Sequence, residues 1–264
     1  MEIQQFVVDA FTDQQFGGNP AAVCLLQENI PSGSMQQIAS ENALPETAFV
    51  LFDGAEPQAI KWFTPRIEMD LCGHATLASA HVLWHHLDYN RSTIRLQSNS
   101  GPLQVLHGDG RYYLDFPSRM PSTSSLPDII SQSLNIPPVD VFKSRDYVLI
   151  YEDEEQIRKL SPDKRALEAI NLDPGGIAVT APGQKADFVS RYFTPQSPIF
   201  EDPVTGSAHC SLIPYWANKL DKKSLNAYQL SERHGILFCE YREDRVYIGG
   251  TARTFSQGTV FLEL

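Results

Sequence analysis

The chain has 264 residues, of which 42% are hydrophobic and 20% are charged, and its formal net charge is −11. These values are typical of a globular protein with one large domain or two medium ones. The acidic balance disfavours nucleic acid and anionic membrane surfaces as partners. No stretch approaches the length of an apolar membrane span and no leader pattern precedes the first strand, so we expect a cytoplasmic protein. Four scattered cysteines without CxxC spacing are expected to be free thiols.

The first half of the chain predicts short strands around two helices. A turn is predicted at Gly17–Pro20, where two glycines precede Asn and Pro. Ser32 or Ser34 is expected to cap a helix that runs to about Ala43, before Pro45. A second helix, rich in Ala, Leu, Ser and His, is predicted from Gly73 to about His86. Runs rich in β-branched and aromatic residues predict strands at 3–11, 21–26, 47–52, 60–63, 94–97, 103–106 and 112–116.

A change of composition marks the middle of the chain. The stretch from Pro117 to Pro127 is rich in Pro and Ser, which is typical of a boundary between domains. It predicts two domains, 1–117 and 118–264, with the last strand able to return to the first. In the second half, helices are expected at 128–134, 152–160, 161–170 and 206–218, and strands at 147–151, 176–180, 188–193 and from Ile236 onward.

A short internal repeat relates the two halves. The tripeptide FTP occurs at Phe63–Pro65 and again, about half the chain later, at Phe193–Pro195. Each copy follows a strand-like run and precedes an acidic segment. A Gly-x-Ala sequence then opens a helix of small residues, first CGHATLASAHVLW and then TGSAHCSLIPYW. Two halves of similar design predict a pseudo-two-fold α/β protein with a central cleft.

The two helix openings have the chemistry of anion holders. The first N–H groups of a helix lack partners and carry partial positive charge, and glycine allows a ligand close to the backbone. Gly73-His74 and Gly206-Ser207 are therefore candidates to hold a carboxylate or a developing enolate-like charge. The alternative is that Thr205 and Ser207 only cap their helix.

Three titratable residues are candidates for proton transfer. Glu46, between Pro45 and an apolar strand, is either a general acid or base or a surface residue at a turn. Asp202, just before the second helix, either shapes and caps the turn or carries a proton. At the first helix start, the positive helix end is expected to lower the pKa of His74, which suits a proton shuttle, although a lone histidine is often structural.

Cysteine and histidine patterns give no independent site. Two-domain racemases use one cysteine from each half, but the position that matches Cys72 is Thr205, and Cys210 lies four residues later. Cys72 is therefore interpreted as a small buried apolar side chain. His81 and His85 have i, i+4 spacing without a third ligand, so no metal site is predicted. Nucleotide-binding and nucleophile-elbow motifs are also missing from the sequence, which disfavours a hydrolase.

Taken together, five segments resemble the phenazine-biosynthesis PhzF-like family. They are DAFT and FGGNPAAV within 9–23, ENALPETAFV at 41–50, WFTPRIEMDLCGHATLASA at 62–80, RYFTP and EDPVTGSAH within 191–209, and the closing GTVF. The resemblance covers essentially the whole chain. It implies an α+β fold like that of diaminopimelate epimerase, in which two similar domains each wrap a mixed sheet around a central helix. It also implies an isomerase without cofactor or metal, of biosynthetic type, that forms a homodimer.

The resemblance assigns roles to residues of the two helix openings. It implies that Glu46 is the acid–base carboxylate and that His74 and Asp202 surround the amino and carboxylate groups of a small substrate. Main-chain contacts to the substrate are implied for Gly73, Gly206 and Ser207. Thr205 departs from the thiol pair of the epimerases, while Cys72 leaves a one-thiol mechanism open. The alternatives are an amino-acid racemase or epimerase of the same fold, or a binding protein without catalytic activity.

Overall fold

The computed structural model describes residues 1–172, 175–197 and 199–263. Its strands are β1 (Glu2–Ala10), β2 (Asn19–Leu26), β3 (Glu46–Asp53), β4 (Glu56–Phe63), β5 (Glu68–Met69), β6 (Thr93–Ser98), β7 (Gly101–Gly108), β8 (Arg111–Pro117), β9 (Ser122–Thr123), β10 (Asp140–Lys143), β11 (Tyr147–Ile150), β12 (Ile177–Pro182), β13 (Phe188–Phe193), β14 (Ser224–Gln229), β15 (Gly235–Arg242), β16 (Arg245–Gly250) and β17 (Ala252–Phe261). Its helices are α1 (Ser32–Asn42), α2 (Gly73–His86), α3 (Asp128–Ser133), α4 (Glu154–Lys159), α5 (Lys164–Leu167) and α6 (Gly206–Leu220). The α+β class is as predicted.

The chain forms two compact units. The first comprises Met1–Asp115 together with Gly249–Leu264, and the second comprises Phe116–Ile248. The closing segment belongs to the first unit because β17 pairs antiparallel with β1 along the length of both strands. No helix in the described part of the chain is long and apolar enough to cross a membrane.

The first unit contains a mixed sheet. Its strands follow the order β17, β1, β2, β3, β4, β6, β7, β8, with parallel pairing at β2–β3 and β4–β6 and antiparallel pairing elsewhere. Helix α1 connects the parallel strands β2 and β3, and its buried Met35 and Ile38 pack against Phe49 and Phe63. Burying each such side chain contributes roughly 1.5–3 kcal/mol. This packing fixes where β3 begins, at Glu46.

Helix α2 is buried in the first unit on every face. All residues from Gly73 to Leu83 are buried, and the helix contacts β1, β2, β3 and β17. A helix that is buried on every face belongs in a core, and small residues such as Ala78 and Ala80 let strands approach it closely. The predicted helix boundaries are confirmed. Its amino end, Gly73, is therefore held rigidly by the core.

The second unit repeats this design with its own mixed sheet and helix. Strands β11 and β12 pair in parallel, as do β13 and β14, while β12–β13 and β14–β15 are antiparallel. Helix α6 contacts β14 and β15, and it is buried at Gly206, at 208–214, at Trp216 and at Ala217. Trp216 stacks on Phe188 and donates its indole N–H to Thr180 at 2.9 Å. The core thus holds the start of α6 as firmly as that of α2.

Several local predictions need correction. Asn19 and Pro20 belong to β2 rather than to a turn, and Pro31 precedes α1, so that neither Ser32 nor Ser34 caps it. The helix predicted over 161–170 is only the short α5. Strands β5, β9, β10 and β14 were not predicted.

Candidate functional site

Glu46 is placed by the parallel pairing of two strands. It is the first residue of β3 and lies opposite Ala21 of β2 in the register. Its side chain is only 16% exposed. The carboxylate therefore stands at the amino end of a central strand, next to the residues that open α2.

His74 is the second residue of α2 and lies beside Glu46. Its Nε2 atom is 3.0 Å from Oε2 of Glu46, and Nδ1 is 3.2 Å from the side-chain amide of Asn19. Nε2 has no hydrogen-bond partner among the residues that the structure describes, and Glu46 approaches it as an ion-pair contact. The imidazole is thus packed between an amide and a carboxylate, with one ring nitrogen available for chemistry.

The charge state of His74 differs from the sequence-based expectation. Burial favours the neutral ring, but the adjacent Cys72 sulfur and Glu46 carboxylate outweigh it and raise the pKa of His74 well above its usual value. The expectation that the helix end lowers this pKa is wrong, because groups in direct contact act more strongly than the helix end. His74 and Glu46 can therefore exist as an imidazolium–carboxylate pair near neutral pH.

Cys72 immediately precedes α2 and is the third member of this cluster. Its Sγ atom lies 3.6 Å from Nδ1 of His74, and its side chain is buried. Burial raises the pKa of the Cys72 thiol, with Glu46 acting in the same direction and His74 against it. The carboxylate of Glu46, 3.0 Å from Nε2, is the acidic oxygen that pairs with protonated His74. Cys72 is more than an apolar filler, since it contacts a titratable ring.

Sulfur, nitrogen and oxygen donors converge at this point. One atom each from Glu46, Cys72 and His74 lie within 4.8 Å of one another, and no other such group of histidine, cysteine and acidic side chains occurs among the described residues. His81 and His85, considered from the sequence, instead stack with ring centroids 5.0 Å apart. His81 also bonds to Tyr112 and Thr254, which indicates a structural role for that residue.

In the second unit, Asp202 and Gln229 shape the approach to α6. Asp202 accepts a hydrogen bond from the hydroxyl of Thr205 at 2.5 Å, and its own N–H donates to the carbonyl of Tyr192. Gln229 of β14 accepts from the N–H of Thr205 at 2.9 Å and donates to the carbonyl of Asp202 at 2.8 Å. Thr205 precedes α6 without a side-chain cap, so the capping interpretation is wrong for this residue.

Arg145 is a site residue that sequence reasoning missed. Its Nη2 atom donates to Oγ of Ser207, the second residue of α6, at 2.8 Å. The side chain is 23% exposed, so a cation lies at the helix start within reach of solvent. No motif surrounds Arg145 in the sequence, and 62 positions separate it from Ser207.

A buried carboxylate orients this arginine. Asp146 is 1% exposed and accepts from Arg145 at 3.2 Å, from the hydroxyl of Tyr192 at 2.7 Å and from the N–H of Gly176 at 3.0 Å. Burial disfavours the charged guanidinium, yet Asp146 and Tyr192 outweigh it and raise the pKa of Arg145. The guanidinium is therefore permanently charged and oriented towards Ser207.

The structure thus groups the predicted residues in two sets. Glu46, Gly73 and His74 meet in the first unit, while Asp202, Gly206 and Ser207 lie along the start of α6 in the second. The first set also includes Asn19 and Cys72, which contact His74. The second set also includes Arg145, which donates to Ser207. These contacts form only in the folded chain.

Comparison with solved structures identifies the fold class of the protein. A hydroxyproline epimerase from Agrobacterium vitis, solved with trans-4-hydroxy-L-proline, has the same fold: its TM-score is 0.58 at 11% identity, over 98% of this chain and 92% of that one. A PhzF-family protein from Enterococcus faecalis matches with a TM-score of 0.94 and 45% identity, over 99% of this chain and 100% of that one. The protein is therefore an α+β protein with the fold of PhzF proteins and amino-acid epimerases.

The family follows from the sequence match. The family model for phenazine biosynthesis-like proteins matches residues 8–258. The uncharacterized isomerase PA2770 of Pseudomonas aeruginosa is 45% identical, covering 99% of this chain and 100% of that protein. The chain belongs to the phenazine biosynthesis-like protein family, which confirms the resemblance, and three of its bacterial relatives are named uncharacterized isomerases.

Proposed function

We propose that the protein is a cofactor-independent isomerase that moves a proton within a small amino- or hydroxy-carboxylate. Glu46 removes the proton from a carbon next to an acidifying group and returns it elsewhere on the same molecule. The observation that carries this proposal is the 3.0 Å contact between Glu46 and His74, whose pKa is raised.

The Glu46–His74 pair has the properties that acid–base catalysis needs. The carboxylate of Glu46 and the ring of His74 can exchange a proton across one short contact. Its two members are 16% and 6% exposed, so bulk water competes little for the proton. His74 either donates a hydrogen bond to the substrate or stores the proton that Glu46 removes.

The second unit supports a carboxylate as the group that is bound. Gly206 and Ser207 begin a helix of 15 residues whose first N–H groups carry partial positive charge. Arg145, fixed by Asp146, adds a full positive charge at Ser207. A planar guanidinium beside backbone N–H groups is suited to a carboxylate. In this proposal Asp202, hydrogen-bonded to Thr205, receives the amino group of the substrate.

The test is incorporation of deuterium from heavy water into candidate substrates. A panel of small amino- and hydroxy-carboxylates, including cyclic dienes, is incubated with the wild type, with Glu46→Gln and with Glu41→Gln. Glu41 is exposed on α1 and serves as the matched control. We expect label or isomer with the wild type and the control, and a loss of at least about 100-fold with Glu46→Gln, within the usual range for a general acid or base. Full activity of Glu46→Gln would sink the proposal.

A second candidate, an epimerase that uses one thiol, is favoured by the 3.6 Å contact between Cys72 and His74. In this reaction Glu46 keeps the proton that it removes, and the thiol donates its own proton to the same carbon on the opposite face, which leaves a thiolate and a protonated Glu46. The label then enters at a single stereocentre whose configuration inverts, rather than at a different atom. The position of deuterium in the product, read by NMR, separates the two reactions, and Cys72→Ala abolishes only the second.

A further inference from the structure

The donors of Glu46, Cys72 and His74 form a site of defined chemistry beyond proton transfer. A thiol sulfur, a ring nitrogen and a carboxylate oxygen lie within 4.8 Å of one another at the start of α2. The Nε2 atom of His74 is buried and lacks a hydrogen-bond partner among the described residues. We propose that these three residues bind a divalent transition-metal ion of the zinc type, and that the bound ion inhibits the protein.

The donor set selects the class of ion. Thiolate, imidazole and carboxylate are the three side-chain ligands of Zn²⁺, with bonds of about 2.0–2.3 Å, and three protein ligands leave a fourth position open. Mg²⁺ and Ca²⁺ require mainly oxygen ligands, and this cluster supplies only one carboxylate. A borderline-soft ion such as Zn²⁺ or Co²⁺ therefore fits, and the abundant hard cations do not.

The spacing of the donors is close to that of a bound site. A tetrahedral ion with bonds of this length holds its donors roughly 3.3–3.7 Å apart. The contact between Sγ of Cys72 and Nδ1 of His74 is 3.6 Å, and that between Nε2 and Oε2 of Glu46 is 3.0 Å. These contacts involve the two different nitrogens of one imidazole, of which an ion binds only one, and the three donor atoms lie within 4.8 Å of one another. Metal binding therefore requires the imidazole and the Glu46 side chain to rotate.

The backbone under two of the ligands is already fixed. The carbonyl of Cys72 accepts from both the N–H and the hydroxyl of Thr76, which fastens the turn that carries Cys72 and His74. Asn19 holds the imidazole from the side and can present its amide oxygen to a ring N–H, as outer partners of metal-bound histidine do. Glu46, at 16% exposure, is the side chain nearest to solvent and marks the route of entry.

Binding has a simple proton balance. The thiol of Cys72 and the protonated ring of His74 each lose a proton to the buffer as their bonds to the metal form, so the sulfur binds as the thiolate and His74 as the neutral ring. No oxidation or reduction takes place. With the carboxylate and the imidazole both engaged by the ion, neither is available to carry a proton, and inhibition follows to the extent that Glu46 is the acid–base residue of the proposed function.

The experiment replaces zinc with cobalt, whose spectrum reports its ligands. Apo protein prepared with a chelator is titrated with Co²⁺ and then with Zn²⁺. We expect one equivalent to bind, with a thiolate-to-cobalt charge-transfer band in the near ultraviolet and visible bands of tetrahedral intensity. Calorimetry in two buffers that differ in heat of ionisation measures the protons released on binding.

Variants assign the ligands. Cys72→Ser and His74→Asn are expected to lose the charge-transfer band and to weaken binding by at least about 100-fold, the upper end of the loss seen for outer partners. Asn19→Ala, which removes an outer partner, is expected to weaken binding by roughly 10–100-fold. Cys24→Ser is the matched control, since Cys24 is a buried thiol of the same unit that bonds to Gln5. It should keep both the band and the affinity.

The outcomes separate this proposal from the proposed function. A wild type without saturable binding, or a charge-transfer band that persists in Cys72→Ser, would overturn the metal site, whatever the deuterium experiment shows. A metal site with the expected ligands in a protein without isomerase activity would leave this proposal standing. Because the spectra need no substrate, a failure of one experiment does not imply a failure of the other.

Discussion

Arg191 donates two parallel hydrogen bonds to the carboxylate of Glu201, from Nε at 2.7 Å and from Nη2 at 2.8 Å. The pair joins β13 to the segment that leads into α6, and its side chains are only 14% and 25% exposed. The remaining N–H groups of Arg191 donate to the carbonyls of Ile157 and Leu160. One arginine therefore holds three segments of the second unit together, directly before Asp202.

Glu201→Gln should destabilise the second unit, because the guanidinium of Arg191, only 14% exposed, loses its counter-charge while its other contacts remain. Hydrogen bonds to charged groups contribute about 1.5–3 kcal/mol each, and we expect a loss of that size in urea denaturation. Glu56→Gln is the control, since its pair with Arg91 is 52% and 63% exposed. An exposed pair of this kind contributes at most about 1 kcal/mol. Equal effects of the two substitutions would contradict the structural role of Glu201.

Glu46→Gln should lower the pKa of His74, because the substitution removes one of the two neighbours that raise it. The titration can be followed by NMR of selectively labelled histidine. A raised pKa means that protonated His74 contributes stability that is fully present below pH 6.5 and is lost as the pH rises through the folded-state value. In Glu46→Gln this contribution should be smaller and should disappear at a lower pH. An unchanged titration would show that the 3.0 Å contact carries no electrostatic coupling.

Acid should destabilise the protein through His209. This residue is buried in α6, its Nδ1 donates to the carbonyl of Thr205 at 2.8 Å, and burial lowers its pKa to about 4. Below pH 6.5 His209 binds a proton in the unfolded chain, whereas in the folded chain it does not bind one until about pH 4. Stability should therefore fall between these values, by on the order of 3 kcal/mol.

His209→Asn keeps a donor for Thr205 and removes the titration. The dependence of unfolding free energy on pH between 4 and 6.5 should become shallower, even if the variant is less stable at neutral pH. His234→Asn is the control, because His234 is exposed and its positive φ of 55° is tolerated by asparagine. A slope that is the same in all three proteins would assign the acid sensitivity to other groups.

Gly176→Ala should destabilise the second unit by about 1–3 kcal/mol, the usual cost of an added methyl group in a packed site. A Cβ atom there would lie 2.6 Å from the hydroxyl of Tyr192 and 2.7 Å from the carbonyl oxygen of Phe193. Tyr192 would be pushed from Asp146, which loses a 2.7 Å hydrogen bond. Gly33→Ala is the opposite case, since no atom lies within 4 Å of its Cβ position and alanine favours helix α1 by up to about 1 kcal/mol. The midpoint temperature of thermal unfolding should fall for Gly176→Ala and rise for Gly33→Ala.

The sequence predicted helix α2 and the class of the fold because both depend on local signals. A glycine followed by a run of small residues and Leu marks a buried helix, and the repeated FTP segment marks two similar halves. Strand β14 was missed although its buried positions alternate, because one of the inward positions is Gln229 rather than an apolar residue. The alternation is broken at the position where the strand contacts the segment before α6.

The contacts at the candidate site were harder to predict than the residues that make it. Glu46 and His74 lie in separate motifs, and their 3.0 Å distance depends on the parallel register of β2 and β3. The raised pKa of His74 follows from that distance and not from its place in the helix. Arg145 stands in an ordinary loop sequence, and its hydrogen bond to Ser207 depends on tertiary contacts that include its pairing with Asp146.

Gln229 makes the shape of the EDPVTG segment depend on a strand that comes more than twenty residues later. One amide fixes the carbonyl of Asp202 and both the N–H and the hydroxyl of Thr205. A deletion of one residue between α6 and β14 would turn Gln229 to the other face of the sheet and release all three contacts at once. Engineering that transplants this segment into a new scaffold must therefore carry β14 in register, and loop length after α6 becomes a means of tuning the site from a distance.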